Sequence, residues 1–486
     1  MSAAAAVQGD VFDRAGQQLA ERLNPIIVKE VRQGLRTRVF WVFFSLMLFA
    51  CLVISLVAAA VADGVGSDGK GFFFAYFLCL GVVQFFVIPY SAYRSMARER
   101  EEETWVLLTL TGLGPKRILR GKMGSHMLQG VLYASACMPF LLFSYFLNGI
   151  DLPTIFSTML LATGYQLFLT AVAVSTATLA ESRLVRGLLH FLLLGFLLWG
   201  LITGLTSSFG LVEAGRSLFG TGPLWLGLGG GWWAIVTWGV LLYEAAAARL
   251  SLPTESYAIG YRLTFVVQVL GALGLAVLGA VSASESGVLF VASLVLLGHC
   301  LVVGLFIASD RDGMAKALRL KKMPWLLKPG GLRGYVLVVL TVLLLSGLAL
   351  IGFTSLGGTE EHLAEVMLAA PAFVVIYLSL PVLVTRLMPH PPFMTAGLTR
   401  VLFFIILILA CGGPPLFSAL LVDKPDAVLP NLLNPIVGLI NLGDGHGGAA
   451  GLAAPWSMAA LLALATVNVL WRNDGASAHA REPGRA

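Results

Sequence analysis

Charge is scarce in this 486-residue chain: 12% of residues are Asp, Glu, Lys or Arg, against 58% that are hydrophobic. So few charges cannot cover so much apolar surface in water, which excludes a soluble enzyme domain. Cysteine is scarce as well. Cys51, Cys79, Cys137, Cys300 and Cys411 stand in separate apolar runs with no C-x-x-C pair, so they read as small core residues rather than a disulfide framework or zinc site. The first long apolar run starts only near Val39, after a polar stretch of mixed charge, and no cleavable signal peptide is expected. A phosphate-binding G-x-x-x-x-G-K-[ST] loop is missing too: Gly69-Lys70 and Gly121-Lys122 lack both its spacing and its following hydroxyl. Nor is there an H-E-x-x-H, a G-x-S-x-G or a cluster of metal ligands, so the chain is not expected to be an enzyme or to hold a cofactor itself.

Long apolar runs are what the chain does have. Bounded by charges, they fall at 39–62, 72–93, 125–146, 154–179, 187–206 and 224–242, then at 263–283, 287–308, 335–353, 366–384, 401–421 and 450–471. Each is close to the roughly 20 residues that cross a bilayer as a helix. The expected fold is an all-α polytopic membrane protein of about twelve spans, divided into a cytoplasmic N-terminus (1–38), two six-span regions (39–250 and 251–471) and a cytoplasmic tail (472–486). The basic residues test that count. With both termini inside, only Lys70, Arg216 and Lys424 of the 32 Lys and Arg residues face outward, as the positive-inside rule requires. The basic inner surface suits anionic lipid headgroups, and no nucleic-acid partner is needed. No Asp or Glu lies near the middle of a span, where ion-coupled carriers usually place one. His190 and His299 are the nearest ionisable candidates, and each reads as a histidine bonded to a neighbouring helix.

Three segments carry more information. Between residues 19 and 39, Leu19, Leu23, Ile27, Val31 and Leu35 recur every four residues among five basic ones, the pattern of an amphipathic interfacial helix. Asn24 and Pro25 supply its N-cap and first-turn proline. The loop from Arg94 to Lys122 has an unusual order. Arg98 to Glu103 would extend the second helix as a charged stalk supported by i to i+4 pairs. Trp105, Val106, Leu107, Leu108, Leu110 and Leu113 then place apolar side chains away from the spans, before Gly112, Gly114 and Pro115 break the helix. Such a patch needs lipid or a cytosolic protein with an apolar groove as its partner, and the stalk favours protein. Finally, residues 432–442 of the outer loop 423–449, with Asn434 and Pro435, suit a re-entrant segment. Gly227, Gly229, Gly230 and Gly231 beside Trp232 and Trp233 read as small residues for close helix packing.

Taken together, Asn24, Pro25, Ile26, Ile27, Val28, Lys29, Glu30, Val31, Arg32 and, in the loop, Glu99, Arg100, Thr104, Leu107, Leu108, Thr111 and Pro115 resemble the membrane subunits of ABC-2 type ABC transporters. Three positions of the family's loop pattern differ: Glu103 replaces glycine, Val106 glutamate and Gly112 proline. The resemblance covers residues 24–179. It implies that the amphipathic stretch is an elbow helix (Asn24, Pro25, Lys29, Glu30, Arg32) and that Glu99, Arg100, Thr104, Leu107, Leu108, Thr111, Leu113 and Pro115 couple to an ATPase. It further implies a separate subunit that binds ATP and Mg, a homodimer or a second permease, an export role, and a bacterial inner (plasma) membrane with both termini cytoplasmic. The loop 309–334 has seven Lys and Arg, as many as the loop after span two. It is either a degenerate second coupling loop or a plain basic anchor. Two other functions fit twelve spans: a secondary carrier, faintly suggested by Asp310-Arg311-Asp312-Gly313, and a scaffold that recruits cytosolic protein.

Overall fold

The computed structural model describes residues 25–62, 69–102, 114–147, 150–179, 183–215, 220–251, 258–310, 324–388, 396–422 and 424–479. Among them there is no strand, and twelve helices are long and apolar enough to cross a membrane. Their outer faces are apolar: Leu420 is 75% and Phe191 74% exposed, which only a hydrocarbon surround tolerates across so many side chains. The protein is an all-α polytopic membrane protein. Its chain groups into two compact units, Met1–Leu252 and Pro253–Ala486, with six spans in each.

In the first unit, α1 (Pro25–Leu35) opens at the proline, whose missing N–H costs nothing in a first helical turn. Asn24 and the leucines at 19 and 23 lie outside the described residues. Thr37 ends α1 by donating to Gly34 O at 2.7 Å, and it starts α2 (Arg38–Ala62) by accepting from the Phe40 amide at 3.3 Å. α3 (Gly69–Val82), a π turn (Val83–Val87) and α4 (Ile88–Glu101) form one rod. Then come α5 (Pro115–Phe146), α6 (Leu152–Leu179), α7 (Arg183–Ala214) and α8 (Gly222–Leu250). α6 is the axis, packed against α4, α5, α7 and α8.

Several helices outrun the apolar runs that announce them. The rod of 33 residues is about 50 Å long at 1.5 Å per residue, well beyond a hydrocarbon core of about 30 Å. Hydropathy marks only the part inside lipid, whereas a helix continues wherever its backbone bonds and its packing persist. Two expectations change as a result. α5 begins at Pro115 rather than near 125, so Lys122 belongs to a helix and not to a loop. The residues up to 102 do not stand free as a stalk: Arg98 and Glu102 form an exposed i to i+4 pair at 3.9 Å, but Glu99, Arg100 and Glu101 bond to other helices.

The glycine expectation is corrected as well. A Cβ added at Gly227, Gly229, Gly230 or Gly231 would meet nothing within 4 Å, so these glycines seat no described helix. The close approach runs the other way. Trp232 of α8 places its ring over Gly164 of α6, where an added Cβ would come within 2.5 Å of it.

The second unit comprises α9 (Ala258–Ala283), α10 (Gly287–Ala308), a 3₁₀ turn (Trp325–Leu327), α11 (Gly331–Ser355), α12 (Glu361–Leu387), α13 (Ala396–Val422), α14 (Val428–Asn431), α15 (Val437–Gly443) and α16 (Gly448–His479). α12 is its axis, with 83% of its most apolar window buried against 11% for α13. The segment 424–446 folds back to the level of the spans. Tyr377, in the middle of α12, donates to Leu433 O at 2.6 Å. Asn434 Nδ2 donates to Cys411 O at 3.0 Å, halfway along α13. That carbonyl lacks its helical partner because the residue four places on is Pro415, which has no N–H. Asn434 Oδ1 meanwhile accepts from the amides of Ile436 and Val437 at 2.9 and 3.0 Å, opening α15.

Candidate functional site

Residues 103–113, and with them Thr104, Leu107, Leu108, Thr111 and Leu113, lie outside the described residues. The site is built from the elements that flank them. α4 leads into this segment and ends at Glu101; α5 leaves it, opening after an extended Gly114 with the buried Pro115 in its first turn. α1 packs along the first turns of α5, with Ile27 against Gly124 and Gly34 against Gln129.

Where these three helices meet, Lys122 is buried at 1% exposure. Its ammonium lies 2.8 Å from Glu99 Oε1 of α4 and 3.5 Å from Glu30 Oε1 of α1, and it donates to Ser95 Oγ at 2.8 Å. Ser95 in turn donates to Glu30 Oε2 at 3.5 Å. One cation thus ties two carboxylates from helices that have no covalent reason to stay together. The arrangement also answers a local problem. Glu99 stands in the last turn of α4, where the helix dipole opposes a carboxylate, and the Lys122 ammonium offsets that field. One turn further along α5, His126 Nδ1 lies 3.4 Å from Gln129 Oε1 and 3.5 Å from Ser91 Oγ of α4. Gln166 of α6 donates to His126 O at 3.0 Å.

A second ring of bonds surrounds this centre. Arg100 donates to Thr178 O near the end of α6, Arg186 of α7 lies 3.0 Å from Glu101, and Lys116 lies 2.6 Å from Glu244 of α8. Tyr243 donates to Lys116 O at 2.8 Å. The residues flanking 103–113 are therefore fastened to α1, α6, α7 and α8. Physically this is a mechanical node: it holds its ions in pairs that join separate helices. Among the described residues no group of three or more His, Cys, Asp and Glu could hold a metal.

Of the residues expected to matter, the structure brings Glu30 and Glu99 together on Lys122, puts Arg100 in the surrounding ring and buries Pro115 in the first turn of α5. Pro25 starts α1, while Lys29 and Arg32 are exposed on it, away from the cluster. Lys122, Ser95 and His126 are additions of the structure. Only the alternation of basic residues along the chain hints at Lys122, and that signal counts it as an ordinary loop cation. The two span histidines make local contacts: His190 Nε2 lies 3.4 Å from Tyr90 Oη, and His299 stacks on Phe265 at 5.9 Å between ring centres. No family model, curated protein or solved structure matches this chain.

Proposed function

We propose that this chain is the permease subunit of an ABC-2 type transporter, lining a translocation path that a separate ATP-binding subunit drives, in the direction of export. One observation carries the reading: Lys122, near the start of α5, bonds the middle of α1 and the end of α4 into a single node flanking the segment 103–113. A force applied to Leu107 and Leu108 by a docked partner would reach three helices at once through that node, and α6, α7 and α8 through the ring around it. In this reading α1 is the elbow helix, the node end faces the cytoplasm, and ATP and Mg belong to the partner. A second permease, either another copy of this chain or a different one, would complete the path.

The test is association. Leu107→Asp combined with Leu108→Asp should abolish co-purification of a Walker-motif ATPase from native membranes in mild detergent, while membrane insertion of the chain is unchanged. Unaltered recovery of the ATPase, or transport that follows an ion gradient and ignores ATP depletion, would overturn the proposal.

A further inference from the structure

The rod formed by α3, the π turn and α4 leaves α-helical geometry at one place. Within Val83–Val87 the bonding steps out by one residue: the Ile88 amide donates to Val83 O, five residues back instead of four. Pro89 explains the position. Having no N–H, it cannot give Phe85 O the i to i+4 bond that an α-helix requires, and its ring would press on that carbonyl. The side chain beside Phe85 is unmet as well. Gln84 is fully buried in the middle of this membrane-crossing rod, yet neither the nitrogen nor the oxygen of its amide has a partner among the described residues. A buried amide left unbonded is costly, and π turns recur at functional sites.

The turn also sets which face α4 shows to α5. In α3, Tyr76 O accepts from the Cys137 thiol of α5 at 3.8 Å. In α4, Ser91 lies 3.5 Å from His126 of α5, Ser95 accepts from Lys122 at 2.8 Å, and Glu99 pairs with Lys122 at 2.8 Å. At about 100° per residue, an unbroken α-helix would place Ser91, Ser95 and Glu99 about 60°, about 100° and about 140° around the rod from Tyr76. A π turn takes up one residue more than an α turn, and that shift brings all three within about 40° of it. The Lys122 node is thus in register only while the rod holds its extra residue.

We infer that the π turn is a register switch for the node. While Lys122 holds Ser95 and Glu99, the turn keeps its extra residue; when that hold is lost, the turn relaxes to α-helix and α4 rotates by about 100°, carrying Ser91, Ser95 and Glu99 off the face of α5. Neither arrangement satisfies every group. In an α-helix Phe85 O lacks a donor because of Pro89, and in the π turn the Gln84 amide stays unbonded. That balance leaves the decision to the bonds at the end of α4. The rotation also parts Arg100 from Thr178 O and Glu101 from Arg186, but the second pair is partly exposed and weak, whereas Lys122 is enclosed. The switch belongs to the rod and the node alone and stands independently of the transporter reading.

Distances between spin labels on Arg98→Cys of α4 and Leu128→Cys of α5, both exposed positions, test it in the full chain with its five native cysteines replaced by alanine. The parent should give one distance. Lys122→Met should add a second, shifted by about 5 Å or more, the movement of a point on a helix about 10 Å across that turns by about 100°. Deleting Val87 removes the extra residue, so that chain should fold with α4 already in register, and in it Lys122→Met should give one distance only. Deleting Leu78 instead, from the α-helical part, turns α4 away from α5 and should lower the melting midpoint more than deleting Val87 does. A single distance in Lys122→Met, a second distance that survives the deletion of Val87, or a Val87 deletion no more stable than the Leu78 deletion overturns the switch. If Lys122→Met does not fold, Pro89→Ala decides: it supplies the donor that Phe85 O needs in an α-helix and should show the second distance, and a single distance there overturns the proposal.

Discussion

Lys122 is the residue on which the first unit turns, because its ammonium touches both Glu30 and Glu99. Removing it takes the cation from two carboxylates with side chains only 11% and 15% exposed. Breaking a buried pair from one side costs about 3–5 kcal/mol, since the remaining charge keeps its desolvation penalty and loses its partner. Lys122→Met should therefore lower the unfolding midpoint in detergent sharply. Adding Glu30→Gln and Glu99→Gln to the same variant should restore much of the loss, because neutral amides tolerate the site. A triple variant no more stable than the single one would show that the carboxylates do not depend on Lys122. The effect should also be insensitive to salt, since ions screen a pair this enclosed far less than they screen the exposed Arg98–Glu102 pair.

Among the elements, the fold-back segment of the second unit depends on one side chain that serves two others. Asn434 satisfies the carbonyl that Pro415 frees in α13 and caps the first amides of α15. Asn434→Ala removes both functions. An unmade buried hydrogen bond costs about 1–3 kcal/mol. Hydrogen exchange should quicken across residues 436–443 while α12 stays protected, and unchanged exchange there would mean that packing alone holds the segment. In the first unit the packing of α2 on α5 has its own reporter: Cys51 and Cys137 place their sulfurs 3.9 Å apart as free thiols. With Cys79, which also contacts Cys51, replaced by alanine, a membrane-permeant oxidant should link the pair within one chain, detectable by peptide mass after digestion; failure to link would contradict that helix pairing.

These elements also show what could be read from sequence and what could not. Twelve spans were legible because the length of an apolar run is a property of consecutive residues, and the re-entrant segment was legible because Asn434 and Pro435 interrupt one. Helix ends were not, since α4 and α5 continue past their apolar parts on backbone bonds and tertiary contacts. Glu30 and Glu99 could be singled out only through a family resemblance. Their partner, Lys122, could not be singled out at all: it is 92 residues from Glu30. Nothing in one dimension distinguishes a buried cation beside a membrane from the many that simply face anionic lipid.

For the molecule as a whole, orientation decides what the node can do. From the distribution of basic residues, the positive-inside rule predicts that α1 and the ends of α4 and α5 face the cytoplasm. Only there could the segment 103–113 meet an ATPase. Two exposed positions test this, Gln33 on α1 and Ser282 at the opposite end of its own unit's helix α9. In a chain whose five cysteines are replaced by alanine, Ser282→Cys should react with a membrane-impermeant maleimide in intact cells, and Gln33→Cys only after permeabilisation. The reverse pattern would put α1, the Lys122 node and residues 103–113 outside the cell, where no ATP-binding partner could reach them. The transporter proposal would then fail even if every ion pair in the node proved real, because a coupling device has meaning only on the side where the energy is supplied.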